Sequence, residues 1–131
     1  MQTATQRKPV PGKTVLLVDD NANVRAHLRE LFLSDGFTLC AEADNGMKAV
    51  EIAPECKPDV IILDLVMPVM NGLDAARKLK ELLPKTPIIL FSLHSRFLKQ
   101  QELTSLGIAA AFAKSAPLDQ LLKKANQLIG E

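Results

Sequence analysis

The sequence contains no hydrophobic run long enough to cross a membrane and no marked excess of charge of either sign. Charged residues interrupt every apolar stretch before the roughly 18 residues that a membrane span requires, and residues 1–8 lack the apolar core of a secretory signal. Sixteen basic and fifteen acidic residues leave a formal net charge of +1, so no overall field attracts nucleic acid or an anionic membrane. We therefore expect a cytoplasmic protein that binds neither nucleic acid nor membrane directly.

Cysteine is equally scarce, with Cys40 and Cys56 the two in the chain. They form no CxxC pair and have no suitable histidine cluster near them, which argues against a zinc site and against a disulfide framework. Free cysteine is among the residues most often buried. We therefore expect both to be small buried apolar residues with no further role.

The sequence does contain a regular alternation of short apolar runs and amphipathic segments. Residues 1–12 are polar and contain two prolines and a glycine, which predicts a flexible tail, whereas residues 13–131 predict a single domain. Hydrophobic periodicity in that domain predicts five strand–helix units. We expect Pro54 to end or distort the second helix, because proline cannot donate the helical hydrogen bond. The predicted strands are 15–18, 37–43, 60–63, 88–91 and 108–113.

Strands separated by helices must run parallel, and right-handed crossovers then place helices on both faces of one sheet. The sequence therefore predicts a doubly wound α/β fold. Ligands of such sheets bind beyond the C-terminal ends of the strands, at the point where the strand order reverses. Acidic residues follow two of the predicted strands: Asp19 and Asp20 come after the first, and Asp64 comes after the third.

Three carboxylates in one place repel one another unless a cation joins them. The sequence therefore predicts a metal site formed by Asp19, Asp20 and Asp64. Two alternatives remain open at this level. Asp19 or Asp20 would cap the first helix, where the helix dipole favours negative charge, and Asp64 would be an ordinary solvated loop acid.

Four segments, each at the end of a different predicted strand, together resemble the receiver domains of bacterial two-component response regulators. The resemblance extends from about Thr14 to Ile129, nearly the whole chain. It implies a flavodoxin-like five-stranded parallel sheet with strand order 2-1-3-4-5 and helices on both faces. The four segments are Val18-Asp19-Asp20, Leu63-Asp64-Leu65-Val66-Met67-Pro68, Phe91-Ser92 and Phe112-Ala113-Lys114.

The resemblance implies that Asp64 is the phosphoacceptor, a nucleophile that takes a phosphoryl group from a partner's phosphohistidine. It also implies Mg²⁺ as cofactor, with Asp20 and Asp64 as direct ligands and Asp19 acting through water. The backbone carbonyl of Val66 would add a ligand. Lys114 would pair with Asp64 and later with a phosphoryl oxygen.

The resemblance assigns two residues to the switch. Ser92 takes the place of the family's threonine or serine, whose hydroxyl donates to the phosphoryl group. Phe112 matches an aromatic residue that turns inward on activation, although a phenylalanine in a strand is equally an ordinary core residue. The family usually follows the lysine with a proline in a cis peptide, whereas here Ser115 follows Lys114, which makes the cis form costlier.

Val66 and His94 match two family positions that flank the path of the hydrolytic water and so set the lifetime of the signal. Valine offers water no hydrogen bond, whereas His94 would screen or orient the water, or be an ordinary exposed histidine. We predict that Val66→Asn changes the dephosphorylation rate more than the phosphorylation rate. Equal changes in both rates would contradict this role.

The predicted function is that of a phosphoacceptor receiver in a two-component phosphorelay. The upstream partner would be a sensor histidine kinase or a histidine phosphotransfer protein. The surface of the fourth and fifth helices would control a downstream effector protein, and phosphorylation could also produce a homodimer. We do not expect an enzyme, since the chain would catalyse only its own phosphorylation and dephosphorylation.

Several alternatives remain. The last predicted helix ends just before Glu131, so we expect a stand-alone receiver, with the excised receiver of a DNA-binding transcriptional regulator as the second hypothesis and an unphosphorylated docking module as the third. A Mg²⁺-dependent phosphatase with an aspartate nucleophile would need an acid at Val66. A flavin-binding protein of similar fold would need a phosphate-binding loop where Asp19 and Asp20 lie.

Overall fold

Five strands alternate with five helices in the computed structural model, which describes residues 11–93 and 99–130. The predicted strands are confirmed to within one residue at either end. The strands are β1 (Thr14–Val18), β2 (Thr38–Ala43), β3 (Val60–Leu63), β4 (Ile88–Ser92) and β5 (Ile108–Ala113). The helices are α1 (Ala22–Ser34), α2 (Gly46–Cys56), α3 (Gly72–Leu82), α4 (Gln100–Ser105) and α5 (Leu118–Leu128).

The strands form one parallel sheet in the order β2-β1-β3-β4-β5, which confirms the predicted flavodoxin-like topology. The order reverses at β1, because the chain moves outward to β2 and then returns across β1 to β3. A crevice therefore opens at the C-terminal ends of β1 and β3. Residues 1–10 of the predicted tail lie outside the described residues, so the boundary between tail and domain stays a prediction.

The sheet is buried on both faces, and alternate side chains of each strand enter different cores. In β1, Leu16 and Val18 contribute to a core with α2, α3 and α4. Val15 and Leu17 contribute to the opposite core, with α1 and α5. This division explains why the strands read as continuous apolar runs rather than as alternating patterns. None of the helices in the two described ranges is long and apolar enough to cross a lipid bilayer.

Asparagine caps the three helices that begin near the C-terminal edge of the first three strands. Asn21, rather than Asp19 or Asp20, caps α1, since its side-chain oxygen accepts from the main-chain N–H groups of Asn23 and Val24. Asn45 and Asn71 cap α2 and α3 in the same way. Each cap contributes about 1 kcal/mol to stability. The caps set the direction in which each chain segment leaves the sheet edge.

Helix α2 does not end at Pro54, which corrects one of the two outcomes expected for that residue. The helix continues to Cys56 and closes at Lys57, whose backbone is left-handed (φ 49°) and whose N–H donates to the carbonyl of Ala53. The proline lies within the last turn, where its missing N–H costs a single helical hydrogen bond. Local geometry at Lys57, rather than the proline, therefore ends the helix.

The cysteines form a disulfide, so the expectation of two free buried thiols is wrong. Cys40 lies on β2 and Cys56 is the last residue of α2, and their Cα atoms are 5.7 Å apart. Both residues are half-buried. Their separation of 16 residues carries no local signal. They become neighbours because α2 packs back onto β2, a tertiary contact that the spacing of two cysteines does not reveal.

Candidate functional site

The predicted acidic residues, Ser92 and Lys114 meet at the edge of the sheet formed by the C-terminal ends of the strands. β1 and β3 pair up to their last residues, so Asp19 and Asp64 leave the sheet side by side. The N–H of Asp64 donates to the carbonyl of Val18 at 2.9 Å. Across the crevice, the N–H of Lys114 donates to the carbonyl of Ser92 at 3.2 Å. Backbone hydrogen bonds of the sheet thus position both sides of the site.

Asp19, Asp20 and Asp64 form an acidic cluster in which one carboxylate oxygen from each lies within 4.8 Å of the others. Asp19 and Asp64 are only 1% and 4% exposed, whereas Asp20 is exposed. Close carboxylates repel one another, and burial increases the cost because it removes the water that would screen them. Oxygen donors of this kind suit Mg²⁺, which binds through one or two carboxylates and retains several waters.

Lys114 contacts two members of the acidic cluster. Its ammonium nitrogen lies 3.3 Å from Oδ2 of Asp64, as the predicted pairing requires, and 2.8 Å from Oδ2 of Asp19. The lysine side chain is 15% exposed. The shorter contact to Asp19 was not expected from the sequence. One lysine facing three carboxylates leaves the cluster with more negative than positive charge.

Burial raises the pKa of the Asp19 carboxyl above its usual value, and the charge of Asp64 adds to this effect. Hydrogen bonds from Lys114 and from the N–H of Asn21 act in the opposite direction without cancelling it. Burial also acts to lower the pKa of Lys114. The hydrogen bond to Asp19 and the charge of Asp64 outweigh burial, so the pKa of Lys114 is raised. The lysine is therefore a cation at neutral pH.

Both carboxylate oxygens of Asp64 have a partner. Oδ1 accepts from the N–H of Leu65 at 2.8 Å, and Oδ2 faces Lys114. Gly72, the first residue of α3, lies so close that a Cβ atom there would collide with the main-chain carbonyl of Asp64. The sequence analysis assigned Gly72 no role at the site. Glycine inside a helix costs about 1 kcal/mol, so its presence as a helical residue was the available signal of a close approach.

An open cavity of about 200 Å³ lies beside the acidic cluster. The hydroxyl-bearing Ser92 lines it and is 1% exposed. Two apolar side chains form its rim, Val66 at 55% and Leu93 at 67% exposure. A cavity of this size with an ammonium, a hydroxyl and carboxylates on its walls suits a small hydrated ion or a phosphoryl group rather than a large organic ligand. The full set of lining residues is Asp20, Asn21, Asp64, Val66, Ser92, Leu93 and Lys114.

The remaining predicted residues are Phe112, Ser115 and His94. Phe112 is half-buried on β5, where it packs against the core of α1 and α5 and borders a groove along α5. The peptide bond between Lys114 and Ser115 is trans. His94 lies outside the described residues. The predicted roles of Phe112 and His94 therefore stay predictions.

Comparisons with known proteins agree with this geometry. The chain matches the family model of the response regulator receiver domain over residues 15–126. It is 42% identical over 81 residues to the chemotaxis protein CheY of Thermotoga maritima, which covers 62% of this chain and 68% of that protein. It is 44% identical over 82 residues to the transcriptional regulatory protein YdfI of Bacillus subtilis, of which it spans only 38%.

Solved structures lead to the same family. The response regulator protein TrrA of Thermotoga maritima, solved in complex with Mg²⁺-BeF, superposes with a TM-score of 0.79 at 30% sequence identity. The superposition covers 88% of this chain and 98% of that one. The family model spans the strand ends that form the acidic cluster. The chain therefore belongs to the response regulator receiver domain family.

Proposed function

We propose that the chain accepts a phosphoryl group on Asp64 from the phosphohistidine of a histidine kinase or phosphotransfer protein, with Mg²⁺ bound at the acidic cluster. The observation that carries this proposal is the meeting of three carboxylates and one lysine beside a small cavity, which Asp20, Asp64 and Lys114 line. Phosphoryl transfer to a carboxylate requires a positioned nucleophile and neutralisation of charge. These groups supply both.

The donor set fits Mg²⁺. Asp20 and Asp64 would bind it directly, Asp19 would act through water, and the backbone carbonyl of Val66 would complete the protein ligands, since all are hard oxygen donors. The bound ion would neutralise the negative charge of the incoming phosphoryl group. The exposure of Asp20 would leave a bound ion accessible to water and to the phosphoryl donor from the solvent side.

The side chains of the protein divide the transfer between them. Asp64 attacks phosphorus through a carboxylate oxygen, the bond from phosphorus to the donor imidazole nitrogen breaks, and the imidazole leaves. Lys114, which faces Oδ2 of Asp64, turns to a phosphoryl oxygen as that oxygen arrives. The Ser92 hydroxyl donates to a second phosphoryl oxygen. The N–H of Leu65 keeps Oδ1 of Asp64 oriented throughout.

The first test replaces Asp64 with alanine and measures phosphorylation by acetyl phosphate with intact-mass spectrometry. The wild type should gain one phosphoryl group with Mg²⁺ and none with a chelator, and Asp64→Ala should gain none. Asp74→Ala is the matched control, since Asp74 is an exposed acid that pairs with Arg77 on α3. Phosphorylation of Asp64→Ala would contradict the proposal, and a wild type that is never phosphorylated would favour the docking module.

Val66 offers a test of signal lifetime. Its side chain is 55% exposed at the rim of the cavity, on the side from which water would approach a phosphorylated Asp64. Val66→Asn would introduce a hydrogen-bonding group there, so the dephosphorylation rate should change several-fold while the phosphorylation rate changes less. Mass spectrometry follows the phosphorylation rate while the phosphoryl donor is present and the dephosphorylation rate after the donor is removed. Equal changes in both would remove Val66 from this role.

The output would pass through the surface of α4 and α5. Phosphorylation of Asp64 would draw in the Ser92 hydroxyl and shift Phe112, which borders the groove on α5. We propose that this surface controls an effector protein, or a second copy of the chain, without catalysis on any other substrate. The relative YdfI is a transcriptional regulator of which the chain spans 38%, and this favours an excised receiver of a DNA-binding regulator as the second candidate.

We place this function in the cytoplasm, where two-component receivers meet their kinases. The bond between Cys40 and Cys56 counts against this location, because disulfides are rare in cytosolic proteins. Rapid acid quenching of cells followed by thiol alkylation would show whether Cys40 and Cys56 are reduced, as the cytoplasm requires, or bonded. Two alkylated cysteines are expected in the cytoplasm, and none would contradict the proposed location.

A further inference from the structure

We propose that Arg25 is a positioning residue for the Mg²⁺ site: its guanidinium, oriented by Glu42, binds the main-chain carbonyl of Asp19 and thereby sets the direction of the Asp20 carboxylate. The inference rests on the proposed function, because it concerns the same acidic cluster. Arg25 does not belong to the acidic cluster or to the cavity beside it. Nothing in the spacing of the sequence pointed to it.

Two different nitrogens of the planar Arg25 guanidinium bind the Asp19 carbonyl and the Glu42 carboxylate. Its Nη1 donates to the carbonyl oxygen of Asp19 at 2.6 Å, and its Nε donates to Oε1 of Glu42 at 3.0 Å. The side chains of Arg25 and Glu42 are only 19% and 22% exposed. Hydrogen bonds from a charged guanidinium are short and directional, and the planar fork loses little freedom when both are made. Glu42 thus determines where Arg25 points.

The backbone of Asp19 is bound on both sides. Its N–H donates to the carbonyl of Ala43 at 3.0 Å, on the neighbouring strand β2, and its carbonyl accepts from Arg25. The carbonyl of Asp19 lies in the same rigid peptide plane as the nitrogen and Cα of Asp20. Rotation of that plane would therefore change the direction of the Asp20 side chain. Because Asp20 is exposed, packing does little to orient it.

The charge of Arg25 and its positioning role affect Mg²⁺ binding with opposite sign. A guanidinium close to the acidic cluster repels a second cation. If Arg25 acted through its charge alone, its removal would tighten Mg²⁺ binding. If it orients the Asp19–Asp20 peptide, its removal weakens Mg²⁺ binding. The direction of the change in Mg²⁺ affinity therefore separates an effect of charge from an effect of positioning.

Arg29 provides a matched control. It lies one helical turn beyond Arg25 on α1, and it donates to the same carboxylate of Glu42 at 2.7 and 2.9 Å. Its substitution removes the same charge and two bonds to the same partner. The hydrogen bond to the Asp19 carbonyl belongs to Arg25 and survives in an Arg29 variant. A difference between Arg25→Met and Arg29→Met therefore reports the contact with Asp19.

The experiment is a calorimetric titration of the full chain with Mg²⁺, since the sequence has no tryptophan or tyrosine to report binding by fluorescence. The Mg²⁺ Kd of Arg25→Met should rise about five- to tenfold, which corresponds to the roughly 1 kcal/mol that a typical hydrogen bond contributes net. The Kd of Arg29→Met should stay within about twofold of wild type. In the metal-free protein, the amide resonances of Asp20 and Asn21 should shift in Arg25→Met and not in Arg29→Met.

Each outcome decides the inference. A Kd for Arg25→Met equal to or lower than that of Arg29→Met overturns it. If Arg25→Met does not fold, Arg25→Lys replaces it: this variant keeps the charge but loses the planar fork, so a raised Kd supports positioning and an unchanged Kd overturns it. A wild type that binds no Mg²⁺ overturns the proposed function and this inference together, whereas normal Mg²⁺ binding by Arg25→Met overturns the inference alone.

Discussion

A lysine meets aspartate at each end of the sheet, and the two clusters differ in their balance of charge. At the N-terminal ends of the strands, Lys13 is 1% exposed and pairs with Asp35 at 2.9 Å. At the C-terminal ends, Lys114 pairs with both Asp19 and Asp64. The first cluster connects elements of the fold. The second has more carboxylates than ammonium groups, so negative charge remains to bind a ligand.

The cluster at the N-terminal ends satisfies its charges internally. Lys13 donates to both a carboxylate oxygen and the main-chain carbonyl of Asp35, each at 2.9 Å. Its ammonium also lies 4.7 Å from the centre of the Phe37 ring. The side-chain amide of Asn126 donates to the same Asp35 oxygen at 2.9 Å. These contacts join the start of β1, the end of α1 and helix α5, so the cluster stabilises the fold.

The cluster at the C-terminal ends has the opposite property. Three carboxylates face one ammonium, and two of the carboxylates are buried. Such an arrangement costs stability in the absence of a cation, because the repulsion is not offset within the protein. Proteins retain unfavourable electrostatics of this kind mainly where they bind or react. Imbalance of charge, rather than burial of charge, is what distinguishes the functional cluster.

The largest expected effect comes from Asp35→Asn. The change replaces the carboxylate beside the buried Lys13 ammonium with a neutral amide. Because Asp35 is 22% exposed, the free energy of unfolding should fall by less than for a fully buried pair, by roughly 2–3 kcal/mol. Urea denaturation followed by circular dichroism in Mg²⁺-free buffer measures it. Asp74→Asn, at an exposed ion pair on α3, is the control and should change stability by less than about 0.5 kcal/mol. A loss at Asp35 no larger than the control would remove the structural role from this cluster.

The same substitution at the other end should act with the opposite sign. Asp64→Asn removes one of the repelling carboxylates, while Lys114 keeps its shorter contact with Asp19 at 2.8 Å. The free energy of unfolding should rise by about 0.5–1 kcal/mol in Mg²⁺-free buffer. Saturating Mg²⁺ should stabilise the wild type and Asp35→Asn but not Asp64→Asn. Destabilisation by Asp64→Asn without Mg²⁺ would end the contrast between the two clusters.

The sequence predicted one cluster and missed the other for a physical reason. Asp19, Asp64 and Lys114 each follow a strand directly, and parallel strands bring such residues to one edge whatever their separation along the chain. Lys13 also adjoins a strand, but Asp35 follows a helix and Asn126 lies within one. Their meeting depends on how the helices pack on the sheet, which hydrophobic periodicity does not specify.

The same limit explains the other differences between prediction and structure. The strand order was predicted through the resemblance to receivers, and the strand bounds followed from apolar runs that packing on both faces requires. The disulfide between Cys40 and Cys56, and the bridge from Arg25 to Glu42, join a helix to a strand. Residue pairs of this kind follow no hydrophobic period and no sequence motif. They become visible only when the helix is placed.

The smallest expected effect concerns pH and Asp19. Burial raises the pKa of Asp19 in the folded state above its usual value of 3.8, so the folded protein takes up this proton before the unfolded chain does. As pH falls from neutral through that raised pKa, the wild type should gain stability relative to Asp19→Asn, and the gain is complete below the unfolded value.

Glu42 should behave in the opposite way, because the hydrogen bond from Arg29 lowers its pKa. Its stabilising contribution is present above its unfolded value of 4.5 and is lost as pH falls through the folded one. Urea denaturation of wild type, Asp19→Asn and Glu42→Gln across this range, in chelator, measures both slopes. Parallel curves for the wild type and Asp19→Asn would show that the buried carboxylate carries no excess cost, and the charge imbalance would then not distinguish the two ends of the sheet.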